Sequence, residues 1–307
     1  MSAPEFISEK NSTGKKLIVI AGATASGKTD LAIEVAQKFQ TEIISADARQ
    51  FYREMNIGTA KPGEEQLQSV KHHFINSLSI HEDYSAGKFR DEVLQLLNEL
   101  WKKHKTVVMV GGGGLFIRAV LNGFDDIPET TFEAKQKVEL LFQQEGIEGL
   151  QKLLHQLDED YYREVDLQNT HRLIRALEIC LSSGKPFSSF RKGNKSENDF
   201  ETDYFILNVE RENLYARINS RVDEMMKQGL LEETKNLFQF RNLNALNTVG
   251  YKELFEFQEG KISLETTIEK IKQHTRNYAK RQLTWFRKES AAQWKTADEI
   301  KSIYGIE

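Results

Sequence analysis

Eight consecutive residues, Gly22-Ala23-Thr24-Ala25-Ser26-Gly27-Lys28-Thr29, have the types and spacing of a phosphate-binding loop. The apolar run Leu17-Ile18-Val19-Ile20 precedes them and an amphipathic stretch follows, the strand-to-helix setting that such a loop requires. The glycines let backbone N–H groups close around phosphate oxygens, and the following helix aims its positive dipole end at them. Lys28 adds a point charge, and Thr29 offers its hydroxyl to Mg²⁺. The loop reads phosphates and not what they carry. On its own it fits ATP or another nucleotide as well as a diphosphate, so nucleotide kinases, NTPases and diphosphate-using transferases all stay open.

A carboxylate follows the next β-type run: Asp47, in Ile43-Ile44-Ser45-Ala46-Asp47-Ala48-Arg49-Gln50-Phe51-Tyr52. Beside a phosphate loop such a group holds magnesium or serves as a general base. The purely structural alternative is a helix N-cap, and the residues alone do not separate the two. The pair His72-His73 has no cysteine nearby and no third ligand at metal spacing, so it is not read as a metal site. The single cysteine, Cys180, lies on the stripe Leu173, Ile174, Leu177, Cys180, Leu181 and reads as a buried apolar residue, not a nucleophile.

A second concentration of chemistry lies near the C-terminus. Lys270, Lys272, Arg276, Lys280, Arg281, Arg287 and Lys288 fall within one stretch that contains no acidic residue, in a chain of net charge −4. Ile268, Ile271, Thr275, Ala279, Leu283 and Phe286 recur there at helical spacing, which predicts one packed face and one basic face that includes Tyr278 and Trp285. Cations with interleaved aromatics suit phosphate contacts and base stacking. Arg172 and Arg175, three apart on a further helical pattern, extend the same kind of surface.

The elements that must position these groups are legible in outline. Lys16 to Ala21, Glu42 to Asp47, Thr106 to Val110 and Tyr204 to Val209 read as strands, the first three separated by helical patterns. That is the signature of βαβ units and a parallel sheet, whose ligand crevice lies at the carboxyl ends of the strands. The phosphate loop, Asp47 and the turn Gly111-Gly112-Gly113-Gly114 all follow strand ends and are expected to line one cleft. From Phe124 to Asp203 the strand signals stop. Helical periodicity runs through Glu133 to Gln144, Glu148 to Gln156 and Thr170 to Leu181. The predicted fold is therefore α/β, a P-loop core with a parallel sheet flanked by helices, plus an all-helical insertion. Its expected divisions are a loose tail over 1–15, the core over 16–123 and 204–307, and the insertion over 124–203. No apolar run approaches the roughly 18 residues of a membrane span, and the first sixteen residues lack a signal-peptide core, so a cytoplasmic protein without membrane association is expected.

Six stretches together resemble the bacterial tRNA dimethylallyltransferase (tRNA isopentenyltransferase) family: Gly22 to Thr29; Asp47 to Tyr52 with Met55 to Pro62; Val110 to Leu115; His171 to Glu178; Val249 to Glu253; and Arg276 to Phe286. They occur in order from about Lys16 to Lys288. The resemblance implies transfer of a dimethylallyl group from dimethylallyl diphosphate to N6 of the adenosine just 3′ of the anticodon, in tRNAs reading codons that begin with U. It makes the loop's ligand the diphosphate donor rather than ATP. It implies Asp47 as general base at N6, with Lys28, Thr29 holding Mg²⁺, and Arg221 serving the diphosphate. It places Asp47, Ala48, Arg49, Gln50, Gly113, Lys135, His171, Arg172, Arg175, Asn247, Gly250, Tyr251, Lys252, Arg276, Lys280 and Arg281 at the tRNA anticodon stem-loop, and a monomer is expected. Three residues depart from the family pattern: Ala23 for proline, Ala48 for serine and Gly113 for threonine. The last two remove hydroxyls from the acceptor side.

Three other readings stay beside this one. A P-loop kinase of a small molecule would share the fold but has no use for a basic, aromatic C-terminal helix. A prenyltransferase acting on free adenine nucleotides would share the chemistry. A non-catalytic tRNA-binding protein would not need Lys28, Thr29, Asp47 and Arg221.

Overall fold

A computed structural model describes residues 14–191 and 198–307 of the chain. The expected tail therefore lies almost wholly outside the described residues, as does most of the polar stretch before Glu201. Two compact units emerge, one formed by the residues up to Leu121 and from Asn198 onward, the other by Asn122–Glu197.

The first unit is built on six strands: β1 (Lys16–Ala21), β2 (Ile43–Ser45), β3 (His72–His73), β4 (Thr106–Gly111), β5 (Glu201–Leu207) and β6 (Gln293–Lys295). They form one sheet in the order β3-β2-β4-β1-β5-β6, and every pairing is parallel. Parallel sheets are covered on both faces, which is why β1 and β4 read as continuous apolar runs. Alternate residues of β1 serve two cores: Leu17, Val19 and Ala21 pack with Met55, Phe89, Met109 and Phe286, while Ile18 and Ile20 pack with Leu31, Val35 and Phe205.

The edge strands β3 and β6 carry no apolar run that would mark them in the sequence; pairing with β2 and β5 alone makes them strands. β5 starts at Glu201, earlier than its β-branched segment, because the register opposite β1 continues to Lys16↔Glu201. β2 ends at Ser45 rather than reaching Asp47, since the chain turns after the Ala46 N–H donates to Val110 O at 2.7 Å.

The second unit is helical, with helices Phe132–Leu157, Glu159–Glu164 and Thr170–Ser183. The first carries a break at Gly146, whose φ of +64° lies in the left-handed region. Val138, Leu150, Leu154, Leu173, Ala176 and Leu177 form its core. Cys180 is buried beside that core, accepts a bond from the Phe187 N–H at 3.3 Å, and burial pushes its thiol pKa up. It is an inert core thiol. Among the described residues no helix is long and apolar enough to cross a membrane.

Candidate active site

The phosphate loop leaves β1 and curls through two left-handed residues, Ala25 at φ +62° and Gly27 at φ +91°. Ala23 and Ala25 pack against Leu214, Ile218 and Ala279, so alanine at position 23 serves as an apolar anchor where the family pattern has proline. Helix Lys28–Lys38 then starts on Gly27, and the N–H groups of its first turn have no intrahelical acceptor. Thr24, Ala25, Gly27, Lys28 and Thr29 line a cavity of about 720 Å³. Gly22, Ala23 and Ser26 lie beneath it as support and are buried.

Asp47, Arg217 and Arg221 complete the polar wall of this cavity. Lys28 Nζ donates to Ala23 O at 3.2 Å. Burial lowers the Lys28 pKa to about 8, Asp47 opposing that shift and Arg221 adding to it. Burial likewise lowers the Arg221 pKa, against the pull of Asp30 and Asp47. At neutral pH the cavity thus holds cations short of solvent, which a bound anion would relieve.

Asp47 does not cap a helix, and it faces open space on two sides. Oδ1 accepts from the Arg49 N–H at 3.1 Å, capping a turn instead of a helix. The carboxylate also borders two hollows: the phosphate cavity and a smaller one of about 100 Å³, walled by Ile218, Val222, Met225, Leu230 and Tyr278 among others. The Asp47 position thus meets a cationic wall on one side and, on the other, a mainly apolar recess that Arg49 and Arg221 also border.

The segment after Asp47 is tied down by side chains. Gln50 Nε2 donates to Thr59 O and Ala60 O at 3.2 and 3.1 Å. Arg49 Nη1 donates to Asn244 O and Ala245 O at 3.1 and 3.0 Å. Lys61 Nζ donates to Tyr52 O, Asn56 Oδ1 and Asn76 Oδ1 at 2.6, 3.0 and 2.5 Å, and burial lowers its pKa to about 8. Glu233 accepts from the N–H groups of Asn56, Ile57 and Gly58 at 3.0, 2.8 and 3.1 Å and from the Tyr251 hydroxyl at 2.6 Å. Gly58 is obligatory there, because a Cβ would lie 2.5 Å from the Tyr251 ring.

The residues expected at tRNA differ in exposure and in how far their side chains are already bonded. Tyr251 is 0% exposed, so its side chain is a core strut and cannot touch RNA. Gln50 and Arg49 are committed to backbone carbonyls by the bonds above. Gly113 donates its N–H to Ala46 O at 3.1 Å, and an added Cβ would stand 2.7 Å from that oxygen, which leaves no room here for threonine. Ala48 packs against the main core. Asn247 and Lys252 are exposed, and Gly250 starts helix Tyr251–Gln258 at φ +95°. Lys135, His171, Arg172 and Arg175 are exposed on helices of the second unit.

The basic helix, Leu264–Phe286, is basic in only one half. Lys270 pairs with Glu256 at 3.1 Å, and Lys272 with Asp223 at 2.8 Å and Glu269 at 3.2 Å. Arg276 donates to Asn219 Oδ1 at 2.6 Å. Lys280 and Arg281 are exposed and, with Asn277 and Thr284, line a shallow hollow. The sequence showed the cations but not the acids that other segments bring to them.

The sequence assigns no role to Arg217, Lys61 or Glu233, and it places Gln282 only within the stretch Arg276 to Leu283 that the resemblance puts at tRNA. Arg217 donates to Ser26 O at 3.3 Å and lies one helical turn before Arg221, a spacing that could have marked it. Nothing local marks Glu233 or Gln282, whose partners are distant in sequence.

A six-stranded parallel sheet with a phosphate loop at its carboxyl edge defines a P-loop protein. A sequence profile of the IPP transferase family matches residues 50–289. A tRNA dimethylallyltransferase of Christiangramia forsetii is 52% identical over 289 residues, spanning 94% of this chain and 96% of that protein. The crystal structure of a full-length tRNA isopentenylpyrophosphate transferase from Bacillus halodurans superposes with a TM-score of 0.69 at 33% identity, covering 95% of each chain. A eukaryotic dimethylallyltransferase acting on tRNA superposes with a TM-score of 0.78 at 28% identity, covering 92% of this chain and 74% of that one. The chain belongs to the IPP transferase family.

Proposed function

We propose that this protein transfers a dimethylallyl group from dimethylallyl diphosphate to N6 of the adenosine 3′ to the anticodon, in tRNAs reading codons that begin with U. The observation that carries this reading is the position of Asp47, which borders the anion-binding cavity and the apolar recess together. The N6 lone pair forms the new N–C bond while the donor's C1–O bond breaks and diphosphate leaves with that electron pair. An adenine amine is a weak nucleophile, so a carboxylate must take the N6 proton as the bond forms, and Asp47 is the base. Lys28, Arg221 and the loop N–H groups meet the charge that grows on the leaving diphosphate.

The cavity suits Mg²⁺ held chiefly by the substrate. Among the described residues no cluster of three or more His, Cys, Asp or Glu could cage a metal, whereas Thr29 lines the phosphate wall, and Mg²⁺ commonly binds through few protein groups, phosphate oxygens and water. When bound it would neutralise leaving-group charge.

The adenosine must leave its stack to reach Asp47. Lys280 and Arg281 supply phosphate contacts on the core, and Lys135, His171, Arg172 and Arg175 supply them on the helical insertion. The working state is a monomer in the cytoplasm. The test is mass analysis of nucleosides after incubation of the protein with unmodified tRNA, Mg²⁺ and dimethylallyl diphosphate. N6-(dimethylallyl)adenosine in tRNA is expected. Product on free adenosine monophosphate but not on tRNA, or phosphate transfer from ATP instead, would overturn the reading.

A further inference from the structure

The buried stripe of helix Leu264–Phe286 contains Ala279, Gln282 and Phe286, and Gln282 is out of character with its neighbours. Ala279 already packs against Ala23 and Ala25 of the phosphate loop, so an apolar residue at 282 would satisfy the helix packing. Burying an amide there is unfavourable unless both its ends are bonded. Both are. Gln282 Oε1 accepts from the Thr24 N–H at 2.9 Å, and Gln282 Nε2 donates to Gly112 O at 3.0 Å. The two partners follow β1 and β4, strands adjacent in the sheet, so the amide is a brace across the carboxyl edge where the cavity opens.

Two further features depend on this brace. Thr24 directly precedes Ala25, a non-glycine residue in the left-handed region, and such a residue persists only where its surroundings hold it. At position 112 a Cβ would lie 2.3 Å from Gln282 Nε2, so glycine is what allows the amide this close. The opposite side of the same helical turn presents Lys280 and Arg281 to solvent.

We propose that Gln282 is a positioning residue for the diphosphate donor. It fixes the Thr24–Ala25 segment against the Gly112 turn, so that the N–H groups further along the loop are set for phosphate before the ligand arrives. It touches neither tRNA nor the reacting atoms. The assignment rests on the donor reading of the cavity, and the primary probe, inorganic diphosphate with Mg²⁺, is chosen to work whether or not prenyl transfer occurs.

The experiment compares Gln282→Met, which keeps the volume and removes both bonds, with Gln282→Glu, which keeps an acceptor for Thr24 N–H. Calorimetry should show diphosphate binding about tenfold weaker in Gln282→Met, the scale of one buried hydrogen bond left unmade, and at least as weak in Gln282→Glu, whose carboxylate sets an acceptor against Gly112 O. Donor KM should rise in parallel while tRNA KM stays unchanged. Gly112→Ala displaces the same amide from the other side and should reproduce the diphosphate defect; it carries the test if Gln282→Met fails to fold. Wild-type diphosphate affinity in a folded Gln282→Met protein, or a rise in tRNA KM alone, would overturn the proposal. A diphosphate defect without any prenyl transfer in the wild type would leave this role standing and remove the functional reading instead.

Discussion

The phosphate loop and the segment that shares its cavity, residues 46–62, are built by opposite means. The loop presents its own backbone: a strand end, two left-handed residues and the start of a helix. Residues 46–62 are shaped by side chains, several sent from far away, with Glu233 holding three successive N–H groups and Lys61 gathering three oxygens. The shape of the first wall is contained in eight consecutive residues. The second is a surface held in place by the rest of the unit, so its sensitivity to mutation is spread over positions far apart in the chain.

The largest effect expected is on the group between the two walls. Asp47→Ala should lower the single-turnover rate of prenyl transfer by about 10² to 10⁴, the range of general-base catalysis, with tRNA affinity little changed. A loss under about tenfold would remove Asp47 from the base role and leave it only the Arg49 turn.

Next comes the contrast between walls. Glu233→Ala frees three N–H donors and the Tyr251 hydroxyl in partly buried surroundings, which should cost about 2 to 3 kcal/mol of stability in urea unfolding. Lys28→Ala should weaken diphosphate binding while leaving the unfolding midpoint near that of the parent. If Glu233→Ala unfolds like the parent, the second wall does not depend on its borrowed side chains.

Acidity gives a third test. Lys28 lines the cavity with its pKa lowered to about 8 by burial. A bound diphosphate favours its protonated form, so affinity is full below that pH and is lost as pH rises through it. The kcat/KM for donor should fall by up to about tenfold per pH unit above pH 8, with kcat affected less because the bound anion raises the pKa. A flat profile of kcat/KM across that range would contradict the pairing of Lys28 with the donor.

The smallest effect separates the two halves of the basic helix. Replacing Lys280 and Arg281 by alanine should lower the salt dependence of tRNA binding by roughly 0.7 to 0.9 of a log–log slope unit per phosphate contact. Replacing Lys270 and Lys272 should leave the slope unchanged, because their charges are already matched by Glu256, Asp223 and Glu269. Equal changes from both pairs would restore the uniform basic face that the sequence suggests.

What the sequence determined by itself is what neighbours along the chain decide. The phosphate loop and the helix after it follow from glycine spacing and a strand-to-helix junction. β1, β4 and the parallel sheet follow from apolar runs separated by helical periodicity, and Cys180 follows from its stripe. Only tertiary structure made strands of His72–His73 and Gln293–Lys295, which carry no β signal and are strands through their partners. It also buried Tyr251, neutralised Lys270 and Lys272, closed the space at Gly113 and placed Gln282 across two strand ends. The physical reason is range. Hydrophobic period and turn chemistry act over a few residues, whereas a hydrogen bond or an ion pair forms between whichever groups the finished fold sets about 3 Å apart, and separation along the chain places no limit on that.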